Sequence, residues 1–152
     1  MDRYQIISLI IQGLIAFGAF GGWQLIVSKR KKRLQEIITV SIESDKDFIK
    51  FFNTGKINLY IHNIEVKDEK TRQLIGEDSV FDEPRLLVAG TAESSYYEYP
   101  ISKDLLEYKK IRFCLFLTDE LGKKWFSEHG GEINNGEIRV WSYKNYEKEW
   151  SL

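Results

Sequence analysis

Charged side chains are absent from Tyr4 to Ser28, and the five residues that follow, Lys29, Arg30, Lys31, Lys32 and Arg33, are all basic. Wound as an α-helix, the uncharged run reaches about 37 Å, enough to cross a hydrocarbon core of about 30 Å with some tilt. The pattern predicts a membrane-spanning helix with a basic juxtamembrane cluster over residues 1–33. A secretory signal puts its basic residues before a shorter apolar region and ends in a cleavage site. Here only Arg3 precedes the run, and Trp23 to Val27 carry it past the weak Ala19-Phe20-Gly21 triplet. A lipoprotein anchor needs a cysteine near the start, and the sole cysteine is Cys114.

Set 100° apart, Ser8, Gln12, Ala16, Gly18, Ala19 and Gly22 share one half of this helix, while Ile6, Leu9, Ile10, Leu14, Phe17 and Phe20 share the other. Small residues let helix backbones approach closely, and Gly18 and Gly22 have the spacing of a helix-association motif. Gln12 in hydrocarbon gains from a hydrogen-bond partner on a neighbouring helix. Self-association into a homo-oligomer is the natural expectation.

Beyond Leu34 the period changes to two. Ile38, Val40 and Ile42 alternate with Thr39 and Ser41, Phe48 to Phe52 forms a second run, and Asn53-Thr54-Gly55-Lys56 signals a turn. Ile57, Leu59 and Ile61 alternate with polar residues, and Ile64 and Val66 resume one residue out of phase, which predicts a bulge near His62 and Asn63. Short strands are expected at 73–75, 79–81, 85–89 and 96–99. Ile111 to Thr118 turns through Asp119-Glu120-Leu121-Gly122 into Lys123 to Ser127, and Glu137 to Tyr143 closes the series. Leu34 to Ile37 can continue the first helix, and Ser102 to Glu107, with a capping serine after Pro100, reads as a short helix. The expected fold class is mainly β, a single transmembrane helix followed over residues 34–152 by an antiparallel immunoglobulin-like β-sandwich with one short helix. With one cysteine the inter-sheet disulfide of antibody domains is impossible, so the likeness is architectural.

Charge sets the orientation. Basic residues near the helix ends stay on the cytoplasmic side, which puts the domain in the cytoplasm and Met1 to Arg3 outside, at a bacterial inner membrane. Lys29 to Arg33 also lie where anionic headgroups sit, each worth about 1 kcal/mol there. Six of the 22 Lys and Arg but only Asp2 of the 23 acids precede Leu34, leaving the domain with a formal charge of −6. That disfavours long nucleic acid as a partner.

One hydrophobic helix, a basic stop, a strand ending in Phe52-Asn53-Thr54-Gly55, a run from Ile61 to Val66, and a late hairpin with Thr118-Asp119 and Gly122-Lys123 resemble small bacterial membrane-anchored β-sandwich proteins, most of unknown function. The resemblance implies a fold and a membrane setting, and no active site.

No phosphate loop, nucleophile elbow or metalloprotease helix occurs, and no cofactor or metal site is expected. His62 falls in the outward register of its strand, and His129 is read as a loop residue before Gly130 and Gly131. Cys114, between Phe113 and Leu115, reads as a buried, inert thiol. Aromatic side chains carry more: Tyr96 and Tyr97 are adjacent on a strand and must point to opposite faces, Trp141, Tyr143, Tyr146 and Trp150 cluster, and Trp150 near the chain end is expected to meet a partner or the membrane surface. Lys109, Lys110 and Arg112 could converge on an anion. The resulting expectation is a non-enzymatic, membrane-tethered binding or sensor module for a cytosolic protein or a small ligand such as a nucleotide. Its alternative is an oligomeric, pore-like effector gated by a ligand on the sandwich, an architecture that occurs in bacterial antiphage defence.

Overall fold

The computed structural model describes residues 3–80, 82–90 and 95–151, without the side chains of 3–9, 31 and 34–37. The chain divides into two compact units, Met1–Leu34 and Gln35–Leu152.

One helix, α1 (Arg3–Ile37), occupies the first unit and runs on to the start of the second. It contains no proline, and its glycines, which cost a water-exposed helix about 1 kcal/mol each, are common in membrane helices. The expectation that Leu34 to Ile37 extend it holds. β-branched Ile38, Thr39 and Val40 then break the helical run, and Ile38 is already in the domain core, 1% exposed.

The second unit is antiparallel throughout. Its strands are β1 (Val40–Ser44), β2 (Phe48–Asn53), β3 (Leu59–Asp68), β4 (Leu74–Ser79), β5 (Arg85–Leu87), β6 (Tyr96–Pro100), β7 (Lys110–Asp119), β8 (Lys124–Asn134) and β9 (Glu137–Glu147), with one 3₁₀ turn among the described residues, at Asp104–Glu107. Strands β1-β2-β6 form a three-stranded sheet, and β4-β3-β7-β8-β9, with β5 also paired to β3, form a six-stranded one. The 3₁₀ turn stands where a short helix was expected, and Ser102 Oγ accepts the Leu105 N–H at 3.2 Å. The two short strands expected at 73–75 and 79–81 are one continuous strand, β4, and Phe81 lies outside the described residues.

Period-two alternation decides what faces inward. Ile49, Phe51 and Asn53 of β2 are buried and Phe48, Lys50 and Phe52 are not. Phe51 meets Phe113 and His129 of the larger sheet, each with ring centroids 5.6 Å apart, and Tyr99 meets Phe113 at 6.0 Å. These edge-to-face contacts stack the two sheets. Gly76 leaves room for Tyr99, because a Cβ there would press on the phenol oxygen. The expected bulge is present: Ile61 pairs with Leu117 but Asn63 with Phe116, leaving His62 over.

Two polar side chains fasten the turns. Buried Asn53 donates to the carbonyls of Ile57 (2.7 Å) and Leu87 (3.1 Å) and accepts the Gly55 N–H at 2.9 Å. Asp119 accepts the N–H groups of Leu121 (2.9 Å) and Lys123 (3.0 Å) and the indole N–H of Trp125 (3.1 Å), while Gly122 takes the positive φ of 75° that closes the hairpin.

Candidate functional site

Three surfaces hold the residues that chemistry singles out, and they are built differently. The first is α1. Ile10–Arg30 is long and apolar enough to cross a membrane, and none of it is buried. Phe17 is 82% exposed, and Leu14, Phe20, Trp23 and Ile26 are comparably bare. Gln12, Ala16, Gly18 and Ala19 are exposed and Gly22 partly so, and a Cβ added at Gly18 or Gly22 would meet nothing within 4 Å. Ser28 turns its hydroxyl back onto the Leu25 carbonyl at 3.2 Å, the usual way a serine is satisfied inside a helix. Lys29, Arg30, Lys32 and Arg33 are helical and exposed; the side chains of Ser8 and Lys31 lie outside the described residues.

The second surface is the outward face of the six-stranded sheet, and it is largely self-satisfied. Arg112 grips Glu69 with two nitrogens, at 2.9 and 2.7 Å, and lies 4.7 Å from the Tyr143 ring. Its hydrogen bonds hold the Glu69 carboxyl below the usual carboxylate range. Glu128 sits between Arg112 (3.8 Å) and Lys144 (3.4 Å), and Lys67 pairs with Glu65 at 2.5 Å. Lys110 faces Glu132 at 3.9 Å, and the carbonyl of Lys109 accepts the Ile133 N–H. Arg112 is thus already held by a carboxylate 43 positions away and Lys110 faces another, so two of the three cations expected to converge on an anion are engaged within the domain.

Further along the same face the chain end folds back. Trp150, 9% exposed, packs with Cys114 and Phe126 and against Phe116 and Tyr146. Its ring lies 5.2 Å from His62 and 5.7 Å from Phe116, Lys124 Nζ is 5.0 Å from it, and the same ammonium donates to the Trp150 carbonyl at 2.5 Å. The expectation that Trp150 meets a partner or the membrane is thus corrected. Outward apolar residues on β7 and β8 needed a cover, and the tail provides it. Beneath this cover, burial pushes the Cys114 thiol up to about 11. Trp141 and Tyr143 lie on this face too, with rings 5.9 Å apart, Trp141 over Gly130, where a Cβ would come within 2.5 Å of the indole.

The third surface is the outward face of the three-stranded sheet. Phe52 stands opposite Tyr96, Lys50 opposite Glu98 and Phe48 opposite Pro100. Phe48 and Tyr96 are exposed and Phe52 is partly so; Lys50 Nζ lies 5.2 Å from the Tyr96 ring and pairs with Asp45 at 3.0 Å. Tyr97 points the other way, its hydroxyl donating to Asp78 of the opposite sheet, and burial with that bond raises its pKa. Sequence reasoning named Tyr96 and missed Phe48 and Phe52. The signal was present: Phe51 and Phe52 are adjacent on a strand, so one must face out.

Between the sheets lies a polar seam that the sequence did not reveal. His129 is not a loop residue; it is in the middle of β8 and 0% exposed. Its Nε2 is 2.8 Å from Ser127 Oγ and its Nδ1 3.1 Å from Ser142 Oγ, while Ser127 also bonds Asn145. Desolvation drops the His129 pKa to about 3, so the ring is neutral with both nitrogens engaged. Although Ser127 and His129 have the contact distance of a nucleophile and its base, both are 0% exposed, which makes the seam part of the core. Among the described residues no three His, Cys, Asp or Glu side chains are grouped to hold a metal ion. The chain matches no protein-family model and no curated protein.

Proposed function

We propose that this chain is a non-enzymatic, membrane-tethered binding module, with α1 as a single-pass anchor in a bacterial inner membrane and the β-domain in the cytoplasm. The observation that carries the reading is the helix: a run of 21 residues, Ile10–Arg30, with its apolar side chains bare, is about 31 Å long and needs a lipid environment to cover it. Lys29 to Arg33 support the orientation, because such clusters remain on the cytoplasmic side. For the domain, we read an immunoglobulin-like arrangement. The order β1-β2-β6 fits strands A, B and E, and β4-β3-β7-β8 fits C′, C, F and G, with β9 added beyond G. The binding face in this reading is the outward side of the three-stranded sheet, where Phe48, Phe52 and Tyr96 surround Lys50 and aromatic rings favour a protein partner or a flat ligand.

Two experiments test this. Expressed in bacteria, the full chain stays in the membrane pellet after alkaline carbonate, and its domain resists protease added to spheroplasts; digestion from outside would refute the orientation. Photo-crosslinking residues placed at Phe48 and Tyr96 give discrete adducts that one at Leu74, on the β4 edge, does not. Equal or absent crosslinking at all three sites would refute the binding face.

Gln12 favours a second reading. Two carboxamides, Gln12 and Gln24, are exposed along the span, and Gln12, on the same side as Ala16 and Ala19, has no role in passive anchoring. Several copies could line this side along a pore gated through the β-domains. Dye release from liposomes containing the full chain, compared with Gln12→Leu and Gly18→Ile, tests it; identical leakage in all three, insensitive to nucleotides, refutes it.

A further inference from the structure

The outward face of β1-β2-β6 is arranged in rows by the register of its strands. Ser41, Phe52 and Tyr96 stand side by side, then Glu43, Lys50 and Glu98, then Phe48 and Pro100. Residues paired across antiparallel strands point to the same side, and alternate residues along one strand repeat about every 7 Å. A charged row therefore crosses the sheet between two rows that carry the rings.

That row is not neutral. Lys50 is its one cation, and its ammonium pairs with Asp45, at 3.0 Å, just past the end of β1. Glu43 and Glu98 are exposed, and no ion pair among the described residues engages either. The adjoining turn adds exposed Lys46 and Asp47, which cancel. Four carboxylates thus stand against two ammoniums, an excess of two negative charges. On the outward face of the other sheet, Glu65, Glu69, Glu128 and Glu132 each have a cation of their own. A second copy of this face would set like charges opposite one another, and anionic lipid or nucleic acid meets the same repulsion.

From this we infer that the face recognises an extended basic segment of a protein partner, in which one arginine or lysine is flanked two positions away on each side by an apolar residue. Laid along β2, alternate side chains of such a segment fall at the spacing of Phe48, Lys50 and Phe52. The cation then meets Glu43 and Glu98, while its apolar neighbours meet the Phe52–Tyr96 and Phe48–Pro100 rows. Arginine is favoured over lysine, because a guanidinium can be shared between carboxylates and lies flat on a ring. This recognition rests on the binding face proposed above and adds the chemistry of the partner.

The test measures fluorescence anisotropy of labelled peptides with the full chain in neutral detergent. In the first peptide leucine, arginine and phenylalanine alternate with serine; the second has glutamate for the arginine, and the third has the composition of the first with those three residues contiguous. Expected is binding of the first about tenfold tighter than of the other two, with the advantage shrinking as salt is raised. Glu43→Gln and Glu98→Gln each weaken it about threefold and together about tenfold, and Glu43→Lys combined with Glu98→Lys transfers the preference to the glutamate peptide. Equal binding of the arginine and glutamate peptides, both weakened by Phe48→Ser, overturns the basic partner and spares the face. A preference for arginine that survives both glutamate substitutions places the cation elsewhere and overturns the inference. Equal binding of the third peptide overturns the alternate spacing. No binding by any of the three overturns the inference as a whole, while crosslinking at Phe48 and Tyr96 decides the face separately.

Discussion

Replacing Trp150 with alanine should undo the C-terminal clasp and leave the rest of the domain folded. An indole of this kind buries on the order of 150–250 Å², worth about 4–6 kcal/mol at 25 cal/mol per Å². Ordering the three tail residues Lys148 to Trp150 costs about 3–6 kcal/mol of backbone freedom. The difference is small, so docking depends on the indole, and Trp150→Ala releases the tail while lowering domain stability by about 2 kcal/mol. Cys114 reports the release directly, being the only cysteine and lying under Trp150. Its thiol is pushed up to about 11 from an ordinary 9.0. Uncovering it lets the pKa relax, so at pH 8 the thiolate fraction rises roughly a hundredfold, before any gain in access. The assay is the rate of Cys114 labelling by a chromogenic disulfide on the full chain in detergent, with urea melts in parallel. Trp150→Phe should recover most of the protection. Equal labelling rates and coincident midpoints for Trp150→Ala and the parent would refute the clasp.

His129 predicts an acid dependence. Its folded pKa, about 3, lies below the unfolded value near 6.5, so the unfolded chain takes up the proton first and stability falls as pH drops from about 6.5 toward 3. Between pH 6.5 and 5 this amounts to about 2 kcal/mol, and a His129→Gln variant should show that much less slope in urea melts. Gly76→Ala presses a Cβ against the Tyr99 hydroxyl and should cost about 1–3 kcal/mol in the same melts, whereas a Gly18→Ala change on the bare helix should cost the domain nothing. Asp119→Ala leaves two turn N–H groups and the Trp125 indole without their acceptor; a loss of about 3 kcal/mol and a shifted Trp fluorescence are expected.

Where a residue's partner is close in sequence, the fold was readable in advance. The His62 bulge showed as a phase slip between Ile61 and Ile64, the Asn53 and Asp119 turns as turn chemistry, and α1 as an absence of charge. Strand β8 was misread beyond Ser127 for a physical reason. Ser127 and His129 face inward because they satisfy one another, Gly130 and Gly131 are small because Trp141 and Ile111 press on them, and Phe126 faces outward because the tail covers it. Each departure from alternation is licensed by a non-local contact. The same holds at the candidate surfaces: Arg112 read as a free cation because Glu69 is distant in sequence, and Trp150 read as exposed because nothing local shows that the tail returns.

Asn53 carries a kinetic consequence. Its carboxamide needs a carbonyl four residues on and another 34 residues on at Leu87, in β5, a strand held by its pairing with β3. A local β1–β2 ribbon therefore lacks one of the partners its own corner asks for, and the expected signature of Asn53→Ala is faster unfolding with a nearly unchanged folding rate in a chevron plot.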